Sequence, residues 1–260
     1  TAPSSLNVGF VGIGGGGNKM VNAMIELGFN KTLMVNSTGK DIPKNVEEEH
    51  VVLIPDSDGI GKNIAYGKEV LTQNGAIVED ALRIKFGKVD WLFVMAGGGG
   101  GTGSSVVALQ PVFERYLQSV QASGKVVYIV SWPTAQENLN PTIAKNALSL
   151  LNDVTPYPHV VLDNERSTRL LRGRIGMLGM YPVANTQFSK IFAQILKLST
   201  EDSPIQSFDS KDLETCYGKD GRAFIGSTMI KDPNTGKLGT TIMHNCMNRS
   251  ACPPPKGKAA

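Results

Sequence analysis

The stretch Met95-Ala-Gly-Gly-Gly-Gly-Gly-Thr-Gly-Ser-Ser105 contains five consecutive glycines and neither a charge nor a proline. It follows the apolar run 91–94, which predicts a buried strand at 89–96, and it precedes a predicted helix at 104–121. A flexible linker would not lie between a buried strand and an apolar helix. Glycines let a backbone approach an anion closely, and a helix N-terminus offers unpaired N–H groups. This second glycine loop (97–103) therefore predicts a phosphate site.

A first glycine loop, Gly12-Ile-Gly-Gly-Gly-Gly17, ends a predicted strand at 7–12 and opens a predicted helix at 18–27. It fits the G-x-G-x-x-G pattern of dinucleotide-binding folds, which also expects an acidic residue after the next strand. The segment Val35-Asn-Ser37 has an amide and a hydroxyl there instead. A tight turn without a ligand is the alternative for this loop alone. Because both loops end strands of one predicted sheet, we expect them to hold one polyphosphate from two sides.

Strands alternate with helices along the chain, which predicts an α/β fold with a parallel sheet covered by helices on both faces. Predicted strands lie at 7–12, 32–36, 51–54, 89–96, 125–130 and 159–162, and further helices at 62–86, 138–152 and 182–199. One or two more strands are predicted near 223–230 and 239–244, before a flexible proline-rich tail. The predicted division is a nucleotide-binding domain (1–181), a central helix (182–200), a shortened α+β C-terminal part (201–250) and the tail (251–260).

The composition is that of an ordinary globular protein, with 41% apolar and 19% charged residues. The net charge of +3 is too small to indicate nucleic-acid binding. Cys216, Cys246 and Cys252 form neither a disulfide framework nor, with the scattered histidines, a zinc pattern, so no metal–thiolate site is predicted. No apolar run is long enough for a membrane span, and the polar start lacks a signal-peptide pattern. We therefore expect a cytoplasmic protein without membrane insertion.

The segment Gly99-Gly-Gly-Thr-Gly-Ser104 resembles the signature phosphate loop of the tubulin/FtsZ GTPases, G-G-G-T-G-[ST]-G, except that Ser105 replaces the last glycine. Further segments resemble this family in the same order, over about residues 6–230. Asp163-Asn164 and the spacing are most similar to the plasmid and bacteriophage tubulins of TubZ and PhuZ type. The resembling segments are the first glycine loop with Asn18, 35–38, 58–63 with Gly67, 130–137, 162–164 and 184–185.

The resemblance implies a GTPase with a Rossmann-like tubulin domain that binds GTP or GDP with Mg²⁺. The segment 58–63 is similar to the loop that senses the γ-phosphate, and 130–137 is similar to the ribose-side loop. Asn185 matches the asparagine that bonds guanine, although Thr186 follows it where the family often has aspartate. The implied nucleotide-binding residues are Gly14, Gly15, Gly16, Asn18, Asn36, Gly61, Lys62, Asn63, Gly98, Gly99, Gly100, Gly101, Thr102, Gly103, Ser104, Pro133, Glu137, Asn164 and Asn185.

In this family, carboxylates from the loop after the central helix of one subunit complete the GTP site of the next. The segment 207–213 resembles that loop and supplies Asp209 and Asp212 as the implied catalytic residues, although Ser207 replaces the family's asparagine. Capping of a following helix is the alternative role for these aspartates. The resemblance further implies head-to-tail filaments of this chain. Their cargo would be plasmid DNA through a bound adaptor, or a phage component, in a bacterial or phage-infected cell.

Three functions remain open from the sequence. A filament-forming GTPase accounts for both glycine loops, and FtsZ-type cell division is a rival within that class. A dinucleotide-dependent oxidoreductase accounts for the first glycine loop only. A subunit that polymerises without turnover accounts for Ser207 and for the 60 residues 201–260, which are fewer than the family's second domain usually has. A shortened family member and a truncated chain both fit that length.

Overall fold

The centre of the molecule is a seven-stranded sheet in the order β3-β2-β1-β4-β5-β6-β7, and all neighbouring strands are parallel. The structure is a computed structural model that describes residues 6–55, 57, 59–171, 180–197, 210–231, 234 and 236–254. The strands are β1 (Val8–Ile13), β2 (Thr32–Asn36), β3 (Val51–Leu53), β4 (Trp91–Gly97), β5 (Val126–Trp132), β6 (Pro158–Asp163) and β7 (Gly221–Ala223).

Helices cover both faces of the sheet, as the alternating pattern predicts, so the predicted fold class is confirmed. Short 3₁₀ turns lie at Gly39–Asp41, Glu48–His50, Gly103–Leu109 and Glu137–Leu139. The α-helices are α1 (Gly14–Glu26), α2 (Ile64–Gln73), α3 (Gly75–Phe86), α4 (Gln110–Ser119), α5 (Pro141–Val154), α6 (Asn164–Leu171), α7 (Met180–Lys197), α8 (Ser210–Tyr217) and α9 (Leu238–Arg249).

The central strands bury both of their faces because successive side chains point to opposite sides of the sheet. Phe10 of β1 and Phe93 of β4 point to the side of α1 and α7, where the Phe192 ring lies 4.9 Å from that of Phe93. Val11 and Val94 point to the other side, into the layer formed with α2 to α5. This double burial explains why the strands are almost continuously apolar instead of alternating.

The strand order reverses between β1 and β4, and this reversal positions the functional site. The chain leaves β1 into α1 on one face of the sheet, whereas it leaves β4 toward α4 on the other face. Connections that diverge in this way leave a crevice outside the carboxyl ends of the two strands. Both glycine loops border that crevice.

The C-terminal part differs from the prediction. Residues 239–244 belong to helix α9 and not to a strand, because Leu238, Ile242 and Cys246 recur at helical spacing on the less exposed side. The other predicted strand, 223–230, is reduced to Ala223 at the end of β7 and a bridge from Ile225 to Cys252. That bridge buries Cys252, so the prediction of a flexible tail is wrong at this residue.

Two predicted helices are interrupted. The predicted helix 62–86 breaks at Asn74, whose side-chain amide donates to the Val70 carbonyl at 2.9 Å and so occupies an acceptor of the last turn of α2. The predicted helix 104–121 begins as the 3₁₀ turn Gly103–Leu109 and becomes α-helical only at Gln110.

Among the described residues, no helix is both long and apolar enough to cross a membrane. The division into domains stays a prediction.

Gly17→Ala tests the packing of α1 on β4, because a methyl group at Gly17 would overlap the Met95 carbonyl oxygen. Backbone cannot yield as a flexible side chain can, so we expect the free energy of unfolding to fall by about 2 kcal/mol. Gly239→Ala is the control, since nothing lies within 4 Å of a methyl group there. Urea denaturation measures both variants, and equal stabilities would contradict the packing argument.

His159 predicts a pH dependence of stability. Its side chain is 3% exposed, and burial, with Arg222 nearby, lowers the pKa of His159 below its ordinary value. The unfolded chain therefore takes up this proton first as the pH falls below about 6.5, and stability is lost from there downward. We expect His159→Gln to have a flatter dependence of unfolding free energy on pH between about 6.5 and 5. His244→Gln, on exposed α9, is the control, and a slope unchanged by His159→Gln would refute the assignment.

Candidate nucleotide-binding site

A cavity of about 420 Å³ opens at the carboxyl ends of β1 and β4. Its walls come from both glycine loops and from the segments that follow β2, β3, β5 and β6, together with α7. The lining residues are Gly14, Gly15, Gly16, Lys19, Met20, Asn36, Ser37, Thr38, Asp41, Gly59, Ile60, Gly61, Gly97, Gly98, Gly100, Gly101, Thr102, Gly103, Ser131, Pro133, Glu137, Asn164 and Asn185.

The two glycine loops touch each other through their backbones. A Cβ atom at Gly14 would lie 2.7 Å from the Gly103 nitrogen, and one at Gly16 would lie 2.9 Å from the Gly97 Cα. Gly14 also has φ +71°, a conformation that other residues rarely adopt. Only glycine fits these positions, so the floor of the cavity is bare backbone. Backbone N–H groups at the start of α1 can then point at an anion, with the helix dipole favouring negative charge.

The charged side chains among the described lining residues are Lys19, Asp41 and Glu137. One cation against two carboxylates cannot by itself hold a highly charged anion. Binding of phosphate here would therefore depend on backbone dipoles and neutral donors more than on ion pairs. The Asp41 carboxylate lies beside the first glycine loop, since its Oδ2 lies 3.1 Å from the position of a Cβ at Gly15.

Hydroxyl groups join the β2 side of the cavity to the second glycine loop. Ser37 Oγ and Thr102 Oγ1 lie 2.9 Å apart, and both residues are buried. The Ser37 backbone N–H donates to Asn36 Oδ1 at 2.8 Å, which fixes the end of β2. The pair presents one spare hydroxyl proton to the cavity, since two hydroxyls that bond each other use only one.

The far end of the cavity carries amides and a fixed carboxylate. Asn164 starts α6, and Asn185 lies on α7. Glu137 Oε2 accepts hydrogen bonds from the Thr134 backbone N–H at 2.8 Å and from the Thr134 hydroxyl at 3.0 Å. Amides donate and accept, so this end can bond a nucleobase and a sugar.

Most of the sequence-predicted binding residues line this one cavity. They are Gly14, Gly15, Gly16, Asn36, Gly61, Gly98, Gly100, Gly101, Thr102, Gly103, Pro133, Glu137, Asn164 and Asn185. The structure thus brings together segments that are separated by as much as 171 positions (185 − 14) along the chain. Their individual roles in binding stay predictions.

Five other predicted binding residues support the loops instead of lining the cavity. Asn18 is fully buried; in the amide orientation that satisfies its neighbours, it donates to the Gly12 carbonyl at 2.9 Å and accepts from Asn36 at 3.0 Å. Ser104 Oγ accepts from the Gly99 N–H at 3.1 Å within the second glycine loop. Asn63 caps α2, and Lys62 lies beside it in a neighbouring groove.

Of the two predicted catalytic residues, the structure describes only Asp212. Asp209 lies outside the described residues. Asp212 lies in the first turn of α8 and does not line the cavity of its own chain. A role on a neighbouring subunit is compatible with that position.

Several lining residues were missed by the sequence prediction. Ser37 and Thr38 stood within the quoted segment after β2, so the resemblance could have included them. Lys19 falls four positions after Gly15 on α1, and that helical spacing places it on the same side. Asp41 had no sequence signal, because its placement depends on the 3₁₀ turn Gly39–Asp41. The others are Met20, Gly59, Ile60, Gly97 and Ser131.

Comparison with solved structures identifies the same fold elsewhere. TubZ of Clostridium botulinum phage c-st superimposes with a TM-score of 0.74 at 17% identity, covering 97% of this chain and 78% of that one. A GTPγS-form protofilament of Bacillus thuringiensis serovar israelensis TubZ gives a TM-score of 0.74 at 20% identity, covering 95% and 70%. At such identities the likeness concerns the fold alone.

Sequence comparison gives a relative among well-described proteins. The cell division protein FtsZ of Neisseria meningitidis serogroup A is 23% identical over 245 residues. This alignment covers 92% of the present chain but only 60% of the FtsZ chain, so the chain spans three fifths of that relative's length.

The family model for the Tubulin/FtsZ family, GTPase domain, matches residues 7–171, which is more than half of the 260 residues. That segment contains both glycine loops and β1 to β6. The chain therefore belongs to the Tubulin/FtsZ family and carries its GTPase domain.

Proposed function

We propose that the protein binds GTP in this cavity and hydrolyses it when copies of the chain stack head to tail. The observation that carries the proposal is the backbone contact between Gly14 and Gly103, which forms a side-chain-free cradle at the ends of β1 and β4. Such a cradle suits a polyphosphate better than a neutral ligand. The family match makes guanosine triphosphate the polyphosphate to test first.

The orientation of the nucleotide follows from the chemistry of the walls. The triphosphate lies on the two glycine loops, with Thr102 donating its hydroxyl, and the base lies between Asn164 and Asn185. The Thr186 hydroxyl donates to the Pro182 carbonyl at 2.9 Å and is therefore used within α7. Recognition of guanine then depends on the amides of Asn185 and Asn164, which can donate to O6 and accept from the ring N–H.

Magnesium fits the donor set. The Asp41 carboxylate lies over the first glycine loop, where it would repel a bare triphosphate. Asp41 and Thr102 offer oxygen ligands, which Mg²⁺ prefers together with phosphate oxygens. When bound there, Mg²⁺ would neutralise phosphate charge during transfer to water.

Hydrolysis across a subunit junction is the second half of the proposal. Glu137 is held by Thr134, so it is poorly placed to take a proton from an attacking water. Asp212, with Asp209, is proposed to act on the nucleotide of the next subunit by orienting that water. The position of Asp212 outside its own cavity supports this arrangement. TubZ of B. thuringiensis was solved as a GTPγS-form protofilament, which favours self-association as the working state of this fold.

The proposed biological role is plasmid partition or the positioning of phage structures in a bacterial cytoplasm, through a DNA-bound adaptor or a phage component. The fold likeness to a phage TubZ supports it. FtsZ-type cell division is the alternative, supported by the alignment with the meningococcal protein. A filament subunit without turnover remains the non-enzymatic alternative.

Light scattering and phosphate release, measured together against protein concentration, test the proposed function. GTP should trigger polymer above a threshold concentration, and phosphate release should start at the same threshold because the site is completed by a second subunit. A non-hydrolysable analogue should give persistent polymer, and GDP should give none. A rate of phosphate release that is proportional to protein concentration over the whole range would contradict a site shared between two subunits. Persistent polymer with GTP and no phosphate would instead favour the subunit without turnover.

Thr102→Val tests the hydroxyl contribution to phosphate binding, since valine keeps the shape and removes the donor. Loss of a hydrogen bond to a charged group predicts an affinity for GTP that is lower by about tenfold. Thr155→Val is the control, because that exposed hydroxyl donates only to the Leu151 carbonyl at the end of α5. Titration calorimetry below the polymerisation threshold compares the variants, and equal affinity in Thr102→Val and wild type would remove Thr102 from the site.

Asp212→Ala tests the action across the junction. We expect unchanged GTP affinity, phosphate release lower by at least about 100-fold, and filaments that outlast those of wild type. Glu214→Ala, an exposed acidic residue on the same helix, is the control and should behave as wild type. A parallel loss of nucleotide binding in Asp212→Ala would show that the aspartate acts within its own subunit.

A further inference from the structure

The loop 59–63, which follows β3, is fastened to the second glycine loop at two places. The Gly101 N–H donates to the Gly61 carbonyl at 2.9 Å. Asn146 of α5 donates through Nδ2 to the Lys62 carbonyl at 2.9 Å and to the Gly99 carbonyl at 3.0 Å. Asn146 is 4% exposed, so this connection is shielded from water. These hydrogen bonds restrict the movement of the two loops relative to each other.

Ser105 adds a third connection. Its side chain is fully buried, and its hydroxyl lies 2.6 Å from the Gly101 carbonyl and 3.1 Å from the Ile64 carbonyl. Glycine at position 67 makes the space, because a Cβ there would overlap Ser105 Oγ. The family signature has glycine where Ser105 stands, so this connection belongs to the present chain and not to the shared motif.

The position of loop 59–63 relates it to the end of the bound nucleotide. Asn164 directly follows β6, whereas loop 59–63 follows β3, and these strands lie on opposite sides of the β1–β4 pair. Gly59, Ile60 and Gly61 line the cavity. A nucleotide with its base at Asn164 and Asn185 therefore directs its last phosphate toward loop 59–63. A diphosphate is one phosphate shorter and does not reach as far.

We propose that Ser105 is a positioning residue. It keeps loop 59–63 ordered in the conformation that contacts the third phosphate, and it thereby sets the preference for GTP over GDP. This inference rests on the proposed function. One hydroxyl proton is shared between two carbonyls, one on each side of the junction between α2 and the second glycine loop. With this bond in place, GTP need not order the loop when it binds. Without the Ser105 hydrogen bond, GTP must order loop 59–63 when it binds, which lowers its affinity. GDP does not reach the loop, so its affinity does not change.

The test is the ratio of the dissociation constants for GDP and GTPγS, measured by calorimetry below the polymerisation threshold. In Ser105→Ala the ratio should fall by about 3- to 10-fold, the effect of one buried hydrogen bond, with the larger loss on GTPγS. Ser105→Gly, which restores the family residue, should lower this ratio by the same factor. It replaces Ser105→Ala in the test if that variant folds poorly. Ser167→Ala is the matched control, because this buried hydroxyl donates to the Asp163 carbonyl and Ser167 does not line the cavity.

Equal weakening of GDP and GTPγS, or an unchanged ratio, would overturn the inference, since either result leaves Ser105 a purely structural residue. Hydrogen exchange in nucleotide-free protein gives a second measurement: amides of residues 59–66 should exchange faster in both Ser105 variants, and unchanged exchange would also overturn it. Failure of the wild-type protein to bind either nucleotide refutes the proposed function itself, before any variant is compared.

Discussion

The contact between two stretches of bare backbone is the constraint on which the rest of the site depends. Gly14 and Gly103 can meet only because neither has a side chain and because β1 and β4 are adjacent and parallel. That adjacency depends in turn on two apolar layers, one on each face of the sheet. The packing of Phe10, Phe93 and Phe192 thus positions a polar site that none of them touches.

The fold could be predicted from the sequence because its signals are local: apolar runs of strand length, helical periodicity and glycine at strand ends. The secondary structure of the C-terminal part could not be predicted in this way. Residues 239–244 contain β-branched side chains, which favour a strand, and the segment is a helix because one of its sides is buried. In the site, the glycines and asparagines belong to recognisable segments. Asp41 does not, since only the turn after Thr38 brings it over Gly15.

The electrostatics of the cavity connect nucleotide binding with assembly. Lys19 is the one cation among the described lining residues, which also include the carboxylates Asp41 and Glu137, so the cavity has little positive charge of its own. In the proposed function, its affinity for a triphosphate comes from oriented N–H groups and from an accompanying cation. The Glu137 carboxylate is held by Thr134, which agrees with the proposal that the carboxylates acting on the nucleotide come from a second subunit.

Ser105 and Gly67 illustrate why a departure from a family motif is best interpreted with its neighbours. In the signature alone, a serine in place of the last glycine weakens the resemblance. In the structure, the added hydroxyl fills the space over Gly67 and reaches the Ile64 carbonyl. The two positions lie 38 residues apart (105 − 67) and on different elements, so no local pattern could pair them. The departure therefore replaces conformational freedom of a glycine with a hydrogen bond to the first residue of α2.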